Sequence, residues 1–431
     1  MLDIDTLLSA IRAEFPRIGS DASGRPRVFF DSAAGSLVSR RAAAAEAACR
    51  IDFSANLGLP AWESGRAGEA IVQGRAAIRD FLNAQSGDSI VSGESATDML
   101  FHLSYAISKQ TKGDENVVVT GYDHYANISP WAELQTRGAI KEVRFARFRP
   151  DDGQLDLEHL AGLVDGKTKV VALAGISNAI GSKSPVGEVC KIASEVGAYS
   201  VVDAVHMVPH TPIDVQQLGC DFLVFSAYKL FSSRGSFMYG RNEALSNLSP
   251  YKDKPTPNVP PAKWEGGARD PALFASMTGV MDYLEWLGGI VEDTVSGELG
   301  TYEGRVRKLK AALKWADNYE TTLSRAMLEG VGDAPGLNDI SKVIVYGSRD
   351  PSKVSDRAPT FAFNVKGIAP AKVASKLWEE HAVVVRAQSF YSKAWDSYEE
   401  QEAVRASLVH YNTATEVQQL LRGLAAISKS A

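Results

Sequence analysis

Two residues of opposite charge stand where chemistry is possible. Asp203 closes the apolar run 199–202, and Lys229 follows the run 222–225, lying 26 residues beyond the acid. Apolar runs this short, bounded by turn residues, predict buried parallel strands. Ligands of open α/β sheets sit beyond the carboxyl ends of such strands, so both side chains are expected to face one crevice. A carboxylate and an amine are each costly to bury alone. A cofactor that uses both accounts for the pair. Pyridoxal phosphate takes a lysine as Schiff base and an acid on its pyridine nitrogen.

Other groups carry a chemical reading and a plainer one. Ser95, Ala96 and Thr97 fall between a strand and a helix, where free amides and hydroxyls make an anion site. A simple helix cap explains the same residues. His124 opens a helix after a strand, and a lone histidine there is often structural. Asp203, His206 and His210 have spacing a metal can use, which would make a metal-dependent hydrolase. Pro209 interrupts the helical face between the two histidines. Arg386 and Arg405 each flank an apolar strand. They read as surface ion pairs or as a clamp for a carboxylate, which a guanidinium grips with two parallel bonds. The run 162–168 (GLVDGKT) is one residue short of a phosphate-binding loop and lies between a helix and a strand, the wrong order for one.

The elements that must position these groups alternate. Strands are expected at 117–120, 142–145, 170–173, 199–202 and 222–225, with helices between them, which predicts a mostly parallel sheet covered by helices. Residues 31–35 (DSAAG) form a small-residue turn where backbone can approach a ligand. Residues 244–272 are rich in Pro and Gly and read as a long functional or interfacial loop. Strands near 342–346, 360–365, 383–386 and 406–410, with helices at 371–380 and 415–427, give an α+β unit. The expected division is a large domain over 31–275 and a smaller one from 1–30 and 276–431. The 431 residues are 45% hydrophobic and 23% charged, with a net charge of −6 and no basic cluster, which argues against nucleic acid as a partner. No apolar run reaches a membrane span. The first fifteen residues read as an amphipathic helix, not a signal peptide. Cys49, Cys190 and Cys220 are widely spaced, which suits a reducing cytoplasm. Cys220 precedes a buried strand and reads as a small core residue.

Taken in order, the segments 31–35, 95–97, 123–131 (DHYANISPW), 177–185 (SNAIGSKSP), 203–206, 226–229 and 405–413 (RASLVHYNT) resemble the fold type I pyridoxal-phosphate enzymes. Within them the chain is similar to the class V aminotransferase group and its cysteine desulfurase-like branch, over nearly its whole length. The resemblance implies that Lys229 holds the cofactor and later moves protons at the substrate α-carbon, while Asp203 keeps the pyridine nitrogen protonated. It implies a stacking role for His124 and a bond from Asn178 to the ring's phenolic oxygen. Ser95, Ala96, Thr97 and Ser226 would hold the phosphate, and Arg405, with Arg386 and the turn residue Ala34, the substrate. His206 stands where desulfurases carry Gln, and Tyr228 where they carry His. Ala268 replaces a Thr that reaches the neighbouring subunit's phosphate, a contact Arg269 would take over. The desulfurase loop after Arg386 reads Ala387-Gln388-Ser389-Phe390-Tyr391-Ser392-Lys393 here and has no cysteine, although the thiolate is the nucleophile of persulfide formation. The expectation is a cytoplasmic homodimer, with its active site near the subunit interface, acting on a small α-amino acid. Carbon–sulfur elimination without a persulfide cysteine leads. β-Decarboxylation or decarboxylative aldol reaction of an acidic amino acid, transamination, epimerisation and a non-catalytic binding module are the alternatives.

Overall fold

The computed structural model describes residues 3–430; Met1, Leu2 and Ala431, at the ends of the expected domain ranges, lie outside it. Seven strands form the main sheet, in the order Ile90–Gly93, Ser236–Gly240, Phe222–Ser226, Tyr199–Asp203, Thr168–Ala174, Asn116–Thr120, Glu142–Ala146. Only Ser236–Gly240 runs against the others. That strand was not expected. It is a five-residue return of the chain after Lys229, ending at a glycine, and its apolar content is too short to stand out.

The strands read as continuous apolar runs because both faces are covered. Successive side chains of a strand point to opposite faces, and here they enter different cores. Val170 and Ala172 join one helical layer with Leu100, Leu103 and Trp131. Val171 and Leu173 join the other with Ile78, Phe81 and Met277. The second layer is built on the helices Trp62–Leu82, Pro271–Val295 and Gly304–Glu329. Glycines let these helices meet closely: a Cβ on Gly74 would sit 2.6 Å from the Phe274 carbonyl oxygen, and one on Gly288 would collide with the Lys308 backbone.

A second sheet of four antiparallel strands follows the order Val343–Tyr346, Thr360–Val365, Ala403–Ser407, Arg386–Gln388. The helices Pro370–His381 and Ala414–Lys429 cover it. The last-paired strand lies earlier than the expected 406–410. Residues beyond Ser407 leave the sheet in a turn in which Asn412 Oδ1 accepts from the Val409 amide at 3.1 Å. Arg405 is therefore inside a strand, paired in register with Arg386. The N-terminal segment divides: Leu7, Leu8, Ile11 and Phe15 pack in the large core, while Val28–Phe29 pairs with Val383–Val384 and Val28 packs in the small one. The position 275/276 falls inside the helix Pro271–Val295, all of whose apolar core residues from Leu273 to Val295 belong to the large core. Gly304–Glu329 serves both cores, through Leu309–Ala316 positions at one end and Leu323, Met327 and Leu328 at the other. Among the described residues no helix is long and apolar enough to cross a membrane.

Candidate active site

The parallel strands end on one edge of the sheet, and the residues after those ends line a cleft of about 200 Å³. Ser95, Ala96 and Thr97 come from the first turn of the helix Ala96–Ser108, His124 and Asn178 from two strand-end loops, and Asp203, His206, Ser226, Tyr228 and Lys229 from the two central crossovers. The cleft thus collects ten of the expected residues. Ser95 is partly the plain cap: its hydroxyl accepts from the Asp98 amide at 3.1 Å and donates to the Asp98 carboxylate at 2.8 Å. The amide ends of that helix still face the cleft wall, as its positive dipole end requires for an anion.

Asp203 is buried, and its carboxyl has a single hydrogen bond, accepted from the Val205 amide at 2.9 Å. Burial pushes its acidity down, raising its pKa, while that amide and the Lys229 charge oppose the shift. Lys229 is 8% exposed and donates to the Ala33 carbonyl. Burial, reinforced by Arg405, brings its amine down to about 8. An amine so placed is a nucleophile close to neutral pH. His124 accepts from the Ala126 amide through Nδ1 at 2.9 Å, so Nε2 carries its proton. Burial first, then Lys229 and Arg405, lower it to about 4, which leaves a flat neutral ring at the cleft wall. Ser226 Oγ meets Ser236 Oγ at 3.2 Å, the contact made by the unexpected strand.

The turn at 31–35 links the cleft to the small sheet. Its Ala33 carbonyl holds Lys229, and Ala34 closes the turn through its amide on the Asp31 carbonyl at 3.0 Å. Asp31 takes both arginines. Arg386 binds it through Nε at 3.1 and 2.9 Å, and Arg405 Nη2 lies 3.5 Å from Oδ1. Arg405 is 2% exposed, stacks over Phe390 at 4.2 Å, and donates to the Asn178 carbonyl at 2.8 Å. Its Nε has no partner. The two arginines share the buried carboxylate of Asp31, Arg405 from inside the protein and Arg386 from a side chain left 43% exposed. Asp31 was read only as part of a small-residue turn. Arg269 stands outside the cleft walls of its own chain, against Glu265 at 3.3 Å.

The segment 389–393 forms a strap over this region. Its Tyr391 carbonyl accepts from the Tyr125 amide at 2.7 Å, its Lys393 amide donates to the Asp123 carbonyl at 3.0 Å, and Asn178 Nδ2 donates to the Phe390 carbonyl at 3.0 Å. The side-chain amide of Asn178 is thus engaged on the strap. Phe390 and Tyr391 have φ of 55° and 49°, a left-handed pair that no residue preference announces. The Tyr391 ring stands 5.8 Å from that of His124. All three cysteines are buried and outside the cleft walls. Burial raises their thiols, Cys190 to about 11 and Cys220 further.

The metal alternative fails on geometry. His206 faces Thr360 at 2.9 Å and His210 faces Glu320 at 2.8 Å, so the two do not converge with Asp203. Among the described residues no three His, Cys, Asp or Glu side chains are grouped to hold a metal ion.

The sequence pattern described as "Aminotransferase class-V" matches residues 28–291 and 305–420. A cysteine desulfurase of Klebsiella pneumoniae is 30% identical over 427 residues, spanning 97% of this chain and 98% of that protein. A probable cysteine desulfurase of Synechocystis is 28% identical over 441 residues, spanning 99% and 96%. In fold, the chain resembles the apo cysteine desulfurase of Thermococcus onnurineus, with a TM-score of 0.81 at 24% identity over 94% of this chain and 95% of that one.

Proposed function

The chain belongs to the class-V aminotransferase family, and from that premise we propose that the cleft holds pyridoxal phosphate and acts on a small sulfur-bearing α-amino acid by carbon–sulfur elimination. The residues fit the cofactor. A buried carboxyl with one hydrogen bond is costly to keep, and a protonated pyridine nitrogen beside Asp203 supplies the missing partner. The amides at the start of Ala96–Ser108, with Thr97 and Ser226, suit a phosphate. When bound, pyridoxal phosphate supplies an electron sink for the pair left at the substrate α-carbon.

The protein's own residues do the rest. Lys229 would hold the cofactor through Nζ, and its amine would move a proton to or from the substrate α-carbon. Asp203 would hold a protonated pyridine nitrogen. His124 would offer its neutral ring to the cofactor, and Arg405 would orient the substrate through its carboxylate. That requires Arg405 to exchange part of its contact with Asp31 for the substrate. The reading includes a homodimer, as the family resemblance implies.

The elimination rests on one observation: no thiol stands in the strap 389–393, and the three cysteines are buried with raised thiols. Sulfur would leave as free sulfide or on a small molecule. Alkylation of the enzyme during turnover with cysteine, followed by mass spectrometry, is expected to show no sulfur adduct on Cys49, Cys190 or Cys220. A stoichiometric adduct on any of them would restore the persulfide route.

A second reading has its own support. Two guanidiniums around one internal carboxylate suit a substrate with two acidic groups, which favours β-decarboxylation of an acidic amino acid. Product analysis with cysteine and aspartate separates the two. In either case Arg405→Ala is expected to lower kcat/KM for amino acids by roughly tenfold to hundredfold, the loss of one charge-assisted bond of about 1.5–3 kcal/mol. Amines lacking the carboxylate should be little affected. Equal losses for both would make Arg405 structural.

A further inference from the structure

The cleft carries a cation that the proposed chemistry does not use. Of the residues that line it, only Lys229 and Arg234 are Lys or Arg, and burial keeps its histidines, His124 and His206, neutral. Arg234 is exposed, and among the described residues it has no hydrogen bond and no ion pair. Its guanidinium carbon stands 5.5 Å from the centre of the Tyr228 ring. An exposed arginine is ordinarily a solvated charge and no more. Here the backbone gives it a definite place.

The strand Ser236–Gly240 lies between Ile90–Gly93 and Phe222–Ser226, with Ser236 paired to Gly93 on one side and to Ser226 on the other. Two residues past the Gly93–Ser236 pair, the two segments reach Ser95 and Arg234, and both line the cleft. Arg234 therefore arrives at the first turn of the helix Ala96–Ser108, where free amides and the positive dipole end suit an anion. The next residue fixes its approach. Gly235 has a φ of 133°, its carbonyl accepts from the Ala227 amide at 2.9 Å, and a Cβ there would collide with Leu273.

We propose that Arg234 is a cofactor-binding residue that supplies the full positive charge for a phosphate monoester seated on the first turn of Ala96–Ser108. The inference rests on the reading of the cleft as a pyridoxal-phosphate site. A phosphate monoester carries roughly −1.5 to −2 charge at neutral pH. The helix end offers about half a positive charge, and the hydroxyls of Thr97 and Ser226 offer none. Lys229 is committed to the other end of the cofactor, and Arg386 and Arg405 are engaged with Asp31. Glu94 and Asp98 flank the same turn and oppose an anion, which leaves Arg234 as the group that decides the balance. A guanidinium keeps its charge and can hold two phosphate oxygens with parallel bonds.

Absorbance titration of the full chain with pyridoxal phosphate, and with pyridoxal, which lacks the phosphate, reads this contact. Arg234→Gln is expected to weaken pyridoxal phosphate by roughly tenfold to hundredfold, the loss of one hydrogen bond to a charged group. Pyridoxal should bind parent and variant alike. Arg234→Lys keeps the charge without the fork and should recover part of the loss. Neither substitution removes a hydrogen bond within the protein, so both variants should fold. With inorganic phosphate as the probe and no cofactor present, the parent should broaden the phosphorus-31 resonance and Arg234→Gln should not. Equal affinity of parent and Arg234→Gln for pyridoxal phosphate overturns the inference; a loss then confined to turnover of aspartate would give Arg234 to the substrate's second acid. Equal weakening of pyridoxal also overturns it and makes the arginine a support for Tyr228. A parent chain that takes up no pyridoxal phosphate, yet binds inorganic phosphate through Arg234, would sink the cofactor reading and leave the anion site standing. A parent chain that binds neither would sink both.

Discussion

Lys229→Ala is expected to abolish the near-visible absorbance of the bound cofactor and almost all turnover. No other lysine lines the cleft. Its Nζ is the group that would attach the cofactor and move the proton, and a missing proton-transfer group alone costs on the order of 10²–10⁴-fold. Burial and Arg405 already hold this amine near 8, so in the parent protein a reactive fraction exists at neutral pH. An alanine variant that keeps full absorbance after dialysis would show that another residue holds the cofactor. The variant should still fold, because the contacts it loses are the bond to the Ala33 carbonyl and a distant approach to the Tyr228 ring at 5.9 Å.

Asp203→Asn separates binding from chemistry. An amide fills the same space and can still accept from the Val205 amide, so the cofactor should remain bound. It cannot keep the ring nitrogen protonated. The lost charge-assisted bond is worth about 1.5–3 kcal/mol, or roughly a tenfold to hundredfold fall in kcat. The absorbance and its pH dependence should shift with it, since an amide would offer a bound pyridine nitrogen no negative charge. Parent-level turnover in this variant would remove Asp203 from the mechanism.

How much of this was legible depended on distance along the chain. Asp203 and Lys229 announce themselves because each follows a short apolar run, and that local pattern places them at strand ends. The large sheet was readable for the same reason, except at Ser236–Gly240, where five residues carry too little pattern. The partners of the arginines were not readable. Asp31 and Arg386 are 355 residues apart, and His210 and Glu320 are 110 apart. No local preference encodes such pairs. Asp31 decides between the two readings of Arg386 and Arg405, and Thr360 and Glu320 are the partners of the histidines at 206 and 210 that their spacing alone does not encode.

The strap 389–393 has a kinetic meaning. Two successive aromatic residues in the left-handed region cost roughly 1–2 kcal/mol each, and the segment is tied to Tyr125, Asp123 and Asn178 by hydrogen bonds. To swing outward and hand a group to another protein, the segment would first have to break its bonds to Tyr125, Asp123 and Asn178. In the elimination proposed, what leaves the cleft would do so by diffusion, and the rate of turnover is expected not to depend on an acceptor protein in solution. In this chain the segment is fastened beside His124 and Asn178 of the cleft wall, where a delivery arm would need to move.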